Sequence, residues 1–469
     1  MAEYQIETSP IWMDIKSIIH SGKKPVKFSF KGMLHTEKED IPILKIISID
    51  VVRDYVNNIS DHIQIEFKMA LGDYAARLYP YRTNIEFSIK KIQLEEVSGG
   101  KEKDTDILIE RYKAIFLTDQ NRNIAASELS MYDTESLNKT DILDVKLQLL
   151  NRALEPLRIK TVSGVYRQVT QKQVIHNLLA GESNKVLVDG KPSIDGIDIV
   201  EPDNKRQIAH TVIKDGIHIV SIPTYLQQSM NGVYNSGIGT YLQTFNAKKL
   251  WFVYPLYNTN RFDEPVDKII FYAIPEERLP GIDRTYNKDG SVIKVLANST
   301  KKYKDSADTD YMNHGVGFRM PNADSFMKKP VEMSENGPTG MRARLNYEVA
   351  SSERKDGLNY APMSANGVSS NPYIDFSKVA ARNVARLDLV WENANYDMIC
   401  PGMPCKYIFL SNNKPIELKG IILFVHAFTS LQGNGITSNT YKTVCQVTIV
   451  TEKFVEDPEI PTIKAAGEF

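Results

Sequence analysis

HIQIEFKMAL, residues 62–71, decides the fold. Ile63, Ile65, Phe67 and Met69 alternate with Gln64, Glu66 and Lys68. A strand turns successive side chains to opposite faces, so this alternation makes one apolar face and one wetted face. On a helix the same four apolar residues would spread over opposite sides of the axis. The reading extends outward on both sides. Residues 41–52 are apolar and β-branched, Asn57-Asn58 supplies a turn, and Ile85, Phe87, Ile89 and Ile92 continue the strand phase with one break. Ser98-Gly99-Gly100 and the KEKD that follows read as an exposed loop before Ile107–Phe116 resumes the pattern. Roughly four to six antiparallel strands in about 80 residues imply a small barrel or sandwich.

Further along, residues 141–150 (DILDVKLQLL) read as another strand, and then the period changes. Thr170-Gln171-Lys172-Gln173 fits a capping box, with Val174, Ile175, Leu178 and Leu179 following at helical spacing. A second helix is expected over Pro223–Met230, where proline suits the first turn. Strand signals return at Val384–Trp391, Tyr407–Leu410, Ile421–Phe428 and Tyr441–Thr451. The run 420–428 is almost continuously apolar, as expected of a strand covered on both faces. Between these parts, residues 281–372 carry DRTYNKDGS, SENGPTG, SERKDG and SANGVSSNP, with few apolar residues at regular spacing. Such a segment buries little, so it reads as a long surface excursion or an arm that orders against a partner.

The resulting fold class is α+β, mainly β: two small antiparallel barrel-like domains with an α/β region and a long loop-rich segment between them. The expected division is an N-terminal arm (1–40), a first β-domain (41–130), an α/β middle region (131–280), the loop-rich segment (281–375), a second β-domain (376–455) and a tail (456–469). About 205–230 of the middle region is assignable to the second β-domain.

A chain of 469 residues exceeds what one core usually serves. Its net charge of −1 argues against a dedicated nucleic-acid binder. Three cysteines, Cys400, Cys405 and Cys445, make no disulfide framework, and cytoplasmic synthesis is the default. The first 25 residues lack a signal-peptide pattern, and no apolar run reaches the ~18 residues of a membrane helix.

Candidate chemistry is sparse. Cys400 and Cys405 bracket a turn, but a structural zinc site needs four ligands, so these read as ordinary buried thiols. The eight histidines are scattered, and Gly-x-Ser-x-Gly, His-Glu-x-x-His and Walker patterns are absent. Gly237-Ile-Gly239 lacks the third glycine and the following helix of a dinucleotide site, because residues 241–245 read as a strand. Asp195 with Asp198, and Asp308 with Asp310, read as solvated acids, and Lys90-Lys91 and Lys301-Lys302 as solvated basic doublets. No cofactor, no metal and no catalytic residue is expected, and the chain reads as a non-enzyme.

Residues 199–262 stand apart. Asn231-Gly232 and the Gly237/Gly239 pair mark tight turns, and Trp251, Phe252, Tyr254, Tyr257 and Phe262 supply large apolar area. Tyr234, Tyr241, Trp251, Tyr254 and Tyr257 are the candidate residues of a subunit or domain seam.

The pieces Ile197–Asn204, Pro223–Gln227, Gly232–Gly239 and Trp251–Tyr257, with Asn258–Phe262, resemble the baseplate hub proteins of contractile-tailed bacteriophages. The segment Ile49–Leu94, with its turn at Leu78–Arg82, is consistent with the first tube domain of that family. The resemblance covers most of residues 42–262 and, more weakly, 384–453, while 281–372 aligns to no family element. It implies a homotrimer in which two tube domains per chain make a pseudo-sixfold ring, adapting a sixfold tail tube to a threefold central spike around a channel. Implied partners are tail-tube or tube-initiator proteins, the central spike protein and the tape-measure protein, with no sequence-specific nucleic acid and no membrane segment. The implied location is the baseplate of the virion. Alternatives are another tube-like component, such as a tube initiator or distal tail protein, and a carbohydrate-binding or carbohydrate-cleaving tail protein.

Overall fold

The computed structural model describes residues 10–19, 27–97, 101–117, 142–229, 231–273, 284–299, 304–305, 318–319, 348–349, 371–382, 384–411, 414–433 and 440–452. The chain is mainly β, and its largest sheet closes on itself twice.

The first part supplies β1 (Lys27–His35), β2 (Asp40–Pro42), β3 (Lys45–Asp54), β4 (His62–Ala70), β5 (Ile85–Val97), β6 (Lys101–Phe116) and β7 (Ile142–Asn151). β4 shows the alternation expected of it, with Ile63, Ile65, Phe67 and Met69 all buried. Antiparallel pairing runs β3–β4–β7–β6–β5–β1, so the apolar faces line one interior.

The middle region comprises β8 (Thr161–Val169), the small pair β9 (Leu187–Val188) and β10 (Lys191–Pro192), β11 (Gly196–Ile199), β12 (Ile208–His218), β13 (Ile238–Phe245) and β14 (Lys248–Pro255). Its helices are Leu154–Ile159, a run over 171–183 and Ile222–Ser229. The capping box forms as read: Thr170 Oγ1 accepts from the Gln173 amide at 3.3 Å, and Gln173 Oε1 accepts from the Thr170 amide at 2.9 Å. β14 takes β13 antiparallel on one side and β11 parallel on the other. The helices cover one face of this small sheet, enclosing Leu157, Ile175, Leu179, Ile222, Leu226 and Trp251 in a second core.

The last part holds β15 (Lys268–Ala273), β16 (Tyr286–Asp289), β17 (Val292–Ser299), the two-residue strands β18 (Lys304–Asp305), β19 (Phe318–Arg319) and β20 (Glu348–Val349), then β21 (Val384–Glu392), β22 (Pro404–Ser411), β23 (Lys414–Leu431) and β24 (Tyr441–Glu452). Here the reading of 281–372 as loop-rich needs a correction at its start. Asp289-Gly290 turns a hairpin between β16 and β17, and Val295, Leu296 and Ala297 are buried. Its apolar residues are few, but Val292, Ile293, Val295, Leu296 and Ala297 fall close together and three of them are β-branched, enough for a strand covered on both sides. Most of the remainder of that segment lies outside the described residues.

Two closed circuits result. β23 and β24 join β3 and β1 to close a ring of eight strands: β1, β3, β4, β5, β6, β7, β23 and β24. The same two strands join β15, β17, β21 and β22 in a ring of six. β23 spans both because its first half, through Ile421, pairs with β22 and its second half, from Phe424, pairs with β3. An irregularity in its pairing with β24, between Ile422 and Phe424, falls where the partner changes. A bulge bends its strand, as a wall shared by two barrels requires. Closure leaves few edge strands to template association.

Helix Pro10–Ile19 lies on the outside of the six-strand ring, with Ile15 and Ile18 packed on Tyr272, Leu296 and Ile408. Asp14 fastens it there, accepting from Tyr272 at 2.8 Å and Lys294 at 2.7 Å. Among the described residues, no helix is long and apolar enough to cross a membrane.

Candidate functional site

The chemistry-bearing residues gather where the middle region meets the two rings, and Tyr254 is the pin of that seam. Its ring, carried on β14, lies between Gly239 and Gly402. A Cβ added at Gly239 would stand 2.4 Å from the ring, and one at Gly402 would stand 2.5 Å from it. Gly402 also holds φ +70, so glycine is required there twice over. The Tyr254 hydroxyl donates to the carbonyl of Tyr55, at the end of β3, at 2.8 Å. The pairing of Gly237 and Gly239 as turn glycines therefore needs correcting. Gly237 is the turn residue, at φ +81, while Gly239 lies within β13 and makes room for the tyrosine.

β13 divides its side chains between two cores. Leu242 faces the helices, whereas Tyr241 and Gln243 face the rings. Tyr241 meets Tyr55 edge to face, with ring centroids 4.9 Å apart, and its hydroxyl donates to Asp61 Oδ1 at 3.1 Å. Gln243 accepts from the Tyr55 hydroxyl at 3.2 Å and donates to the Ile399 carbonyl at 2.7 Å. The backbone joins in: Leu242 N–H donates to the Ile59 carbonyl at 2.7 Å.

Behind this contact lies a buried ion cluster. Arg53, 3% exposed, donates from Nε to Asp61 at 3.1 Å and from Nη1 to the Tyr396 carbonyl at 2.9 Å, and stands 3.5 Å from Asp397. Lys91 completes the cluster, 2.5 Å from Asp397 and 4.0 Å above the Phe28 ring. Lys91 is therefore not on a solvated face: it continues the inward phase of Ile85, Phe87 and Ile89, in a strand whose register with its neighbours is unbroken up to Gln93. Burial works against the Arg53 charge, yet Asp61 and Asp397 outweigh it and hold the guanidinium firmly protonated. Burial raises the Asp61 carboxyl, against the pull of Arg53 and Tyr241. At Asp397 burial is overcome by Lys91 and Arg53, so its carboxyl titrates below the ordinary range. Burial also raises Glu110, which accepts from Tyr112. Arg53, Asp61, Glu110, Tyr112 and Asp397 line a cavity of about 230 Å³ together with Gln243, Thr244 and Asn395.

The five aromatic seam candidates separate into groups. Tyr241 and Tyr254 sit on the junction itself. Trp251 and Tyr234 sit in the helical core, where the indole donates to Ser183 Oγ at 3.1 Å and the Tyr234 hydroxyl donates to the Val200 carbonyl. Tyr257 is half-buried beyond the end of β14, its amide bonded to the Ser236 carbonyl at 3.1 Å. The first four are almost wholly enclosed by their own chain.

Other sequence candidates lie apart. Cys405 and Cys445 are buried and Cys400 half-buried; burial pushes the Cys400 and Cys445 thiols up to about 12. His426 is held 2.7 Å from Asp50, and Asp195 accepts from the Lys249 amide at 2.7 Å. Asp308, Asp310, Lys301 and Lys302 lie outside the described residues. Arg53, Asp61, Asp397 and Gln243 were not singled out in the sequence, although Arg53 carried a signal. It continues the buried phase of Ile49 and Val51, and a charge in that phase announces buried partners.

The cluster is built to hold elements together. Asp61 and Asp397 are each bound by a cation, and the phenols of Tyr55, Tyr112, Tyr241 and Tyr396 are raised far above neutral pH by burial. They stay protonated, and Tyr55, Tyr112 and Tyr241 donate to Gln243, Glu110 and Asp61.

No protein-family model matches the chain, and no curated protein matches it significantly. Among solved structures it is similar to a tail protein from Neisseria meningitidis, at 10% identity and TM-score 0.42, covering 91% of this chain and 97% of that one. It is similar to the 43 kDa tail protein of prophage MuSo2 from Shewanella oneidensis, at 10% identity and TM-score 0.43, covering 90% and 96%. A third is the E. coli c3393 protein, a type VI secretion component described as structurally similar to T4 tail proteins, at 8% identity and TM-score 0.38, covering 90% and 77%.

Proposed function

We propose that this chain is a structural, non-enzymatic component of a contractile phage tail: a baseplate hub that assembles as a homotrimer and adapts a sixfold tail tube to a threefold spike. The observation that carries the reading is the pair of closed β-rings in one chain. Three such chains present six ring units, so a sixfold neighbour meets six related surfaces while a threefold neighbour meets three whole chains. The shared wall of β23 and β24 holds the two units of a chain in fixed register, as an adaptor between symmetries requires. The seam at Tyr254 and the Arg53 cluster fasten the middle region to the ends of β3 and β21 beside that wall, giving the rigidity of a collar under load. The proposed partners are the tube or tube-initiator proteins on one side and the spike on the other, with the tape-measure protein in the channel and the virion baseplate as the location.

Mass in solution tests this, by light scattering on the purified chain and by native mass spectrometry. A stable trimer is expected. A hexamer would favour a tube-like component, and a strict monomer at high concentration would count against both.

A further inference from the structure

We infer that the outer face of the eight-strand ring carries a docking groove for an acidic, aliphatic segment of another protein. The groove, about 580 Å³, runs over β1, β5 and β6 and is bounded by the turn from β2 to β3. Strand register explains its contents. Lys31 on β1 stands beside Lys90 on β5, which stands beside Ile109 on β6, while Met33 stands beside Ser88. The β2–β3 turn adds Ile43 and Leu44 as the opposite bank, and Lys45 lies at its foot.

Two properties select the occupant. The first is apolar exposure: Met33 is 39%, Leu44 46% and Ile109 63% exposed, and all three border one depression. Single exposed apolar residues are ordinary, but three converging on a concave site mark a contact surface. The second is charge. Among the described residues, Lys31, Lys45 and Lys90 line the groove and no carboxylate does. Lys45 lies 5.7 Å over the Tyr441 ring, and among the described residues neither Lys31 nor Lys90 is ion-paired. A basic or neutral segment would leave these ammonium groups crowded and partly desolvated. A segment alternating aliphatic and acidic side chains would satisfy both features, its apolar positions on Met33, Leu44 and Ile109 and its carboxylates on Lys31 and Lys90.

Fluorescence anisotropy on the full chain tests the inference, with a labelled peptide of alternating Leu or Ile and Glu as probe. Saturable binding is expected, weakening as NaCl rises. The double variant Lys31→Glu with Lys90→Glu should weaken it at least about tenfold. Met33→Ser should weaken it without changing the unfolding midpoint, which separates a lost contact from a lost fold. The inference is overturned by any of three results: no saturable binding, equal binding of a peptide with Lys in place of Glu, or binding untouched by the groove variants. It is also overturned if the groove substitutions abolish self-association instead, since the occupant would then be a second copy of this chain.

Discussion

Replacing Arg53 with Met would test whether the ion cluster is what holds the seam. Methionine keeps much of the volume and removes the charge, leaving Asp61 and Asp397 facing each other across the cavity. At an effective dielectric of ~20, each ion pair at about 4 Å is worth about 4 kcal/mol before desolvation is counted. Removing one partner of a buried pair typically costs about 3–5 kcal/mol, because the other charge stays buried. Asp397 keeps Lys91 at 2.5 Å, so the uncompensated group is Asp61, to which, among the described residues, the Tyr241 hydroxyl is left. The expected loss is therefore about 3 kcal/mol, the lower end of that range. Adding Asp61→Asn should restore about 1–2 kcal/mol, since residues in one network are not additive. Equilibrium urea unfolding followed by tryptophan emission reads both, and in single-tryptophan backgrounds it resolves place as well as size: Trp251 reports the middle region and Trp391 the six-strand ring. The reasoning fails if Arg53→Met stays within about 0.5 kcal/mol of the parent, the range of an ordinary surface change, or if Asp61→Asn makes Arg53→Met worse.

Gly239→Ala drives a methyl group into the Tyr254 ring and should destabilise the chain by about 1–3 kcal/mol, most of it relieved by adding Tyr254→Leu; thermal unfolding of the single and double variants reads this. Trp251→Phe removes the bond to Ser183 and should cost about 1 kcal/mol, with a smaller cost in a Ser183→Ala background. Stability against pH should rise on going from neutral to mildly acid and then fall. The raised carboxyls of Glu110 and Asp61 bind protons more readily folded than unfolded, so acidification towards 4.5 favours the fold. The contribution of Asp397, whose folded value lies below 3.8, is present above that pH and is lost as pH falls through the folded value. Glu110→Gln should flatten the rise, and a monotonic fall from pH 7 in the parent chain would contradict it.

Much of the strand content was legible because its signal is local. Ile63 to Met69 announce β4 by period alone, Thr170 and Gln173 announce a helix start, and the almost continuous apolar run at 420–428 announces a strand, although both faces are covered only as far as Leu423 and Phe428 is 45% exposed. Closure was not legible. Phe424 pairs with Asp54 across some 370 residues, and nothing in the periodicity of either strand names the other. The seam was half visible. The aromatic residues of 199–262 were visible as a cluster, but the groups that Tyr241 and Tyr254 meet, Tyr55, Asp61 and Gly402, lie in connections between strands, where no period exists to read. Lys91 misled because a basic doublet ordinarily faces water, and only its place in the inward phase of Ile85, Phe87 and Ile89 carried the contrary information.

The shared wall of β23 and β24 also sets a timetable. Neither ring can shut until the last strand, Tyr441–Glu452, has left the ribosome. β7 ends at Asn151, so the open sheet of the first ring waits through 452 − 151 = 301 residues of synthesis, about 15–60 s at ordinary rates. Through that interval β1 and β3 present bare edges and an uncovered apolar interior. A nascent chain of this design is most vulnerable to misassociation just before β24 emerges, and its solubility on expression should depend on chaperone supply more than on the stability of the finished fold.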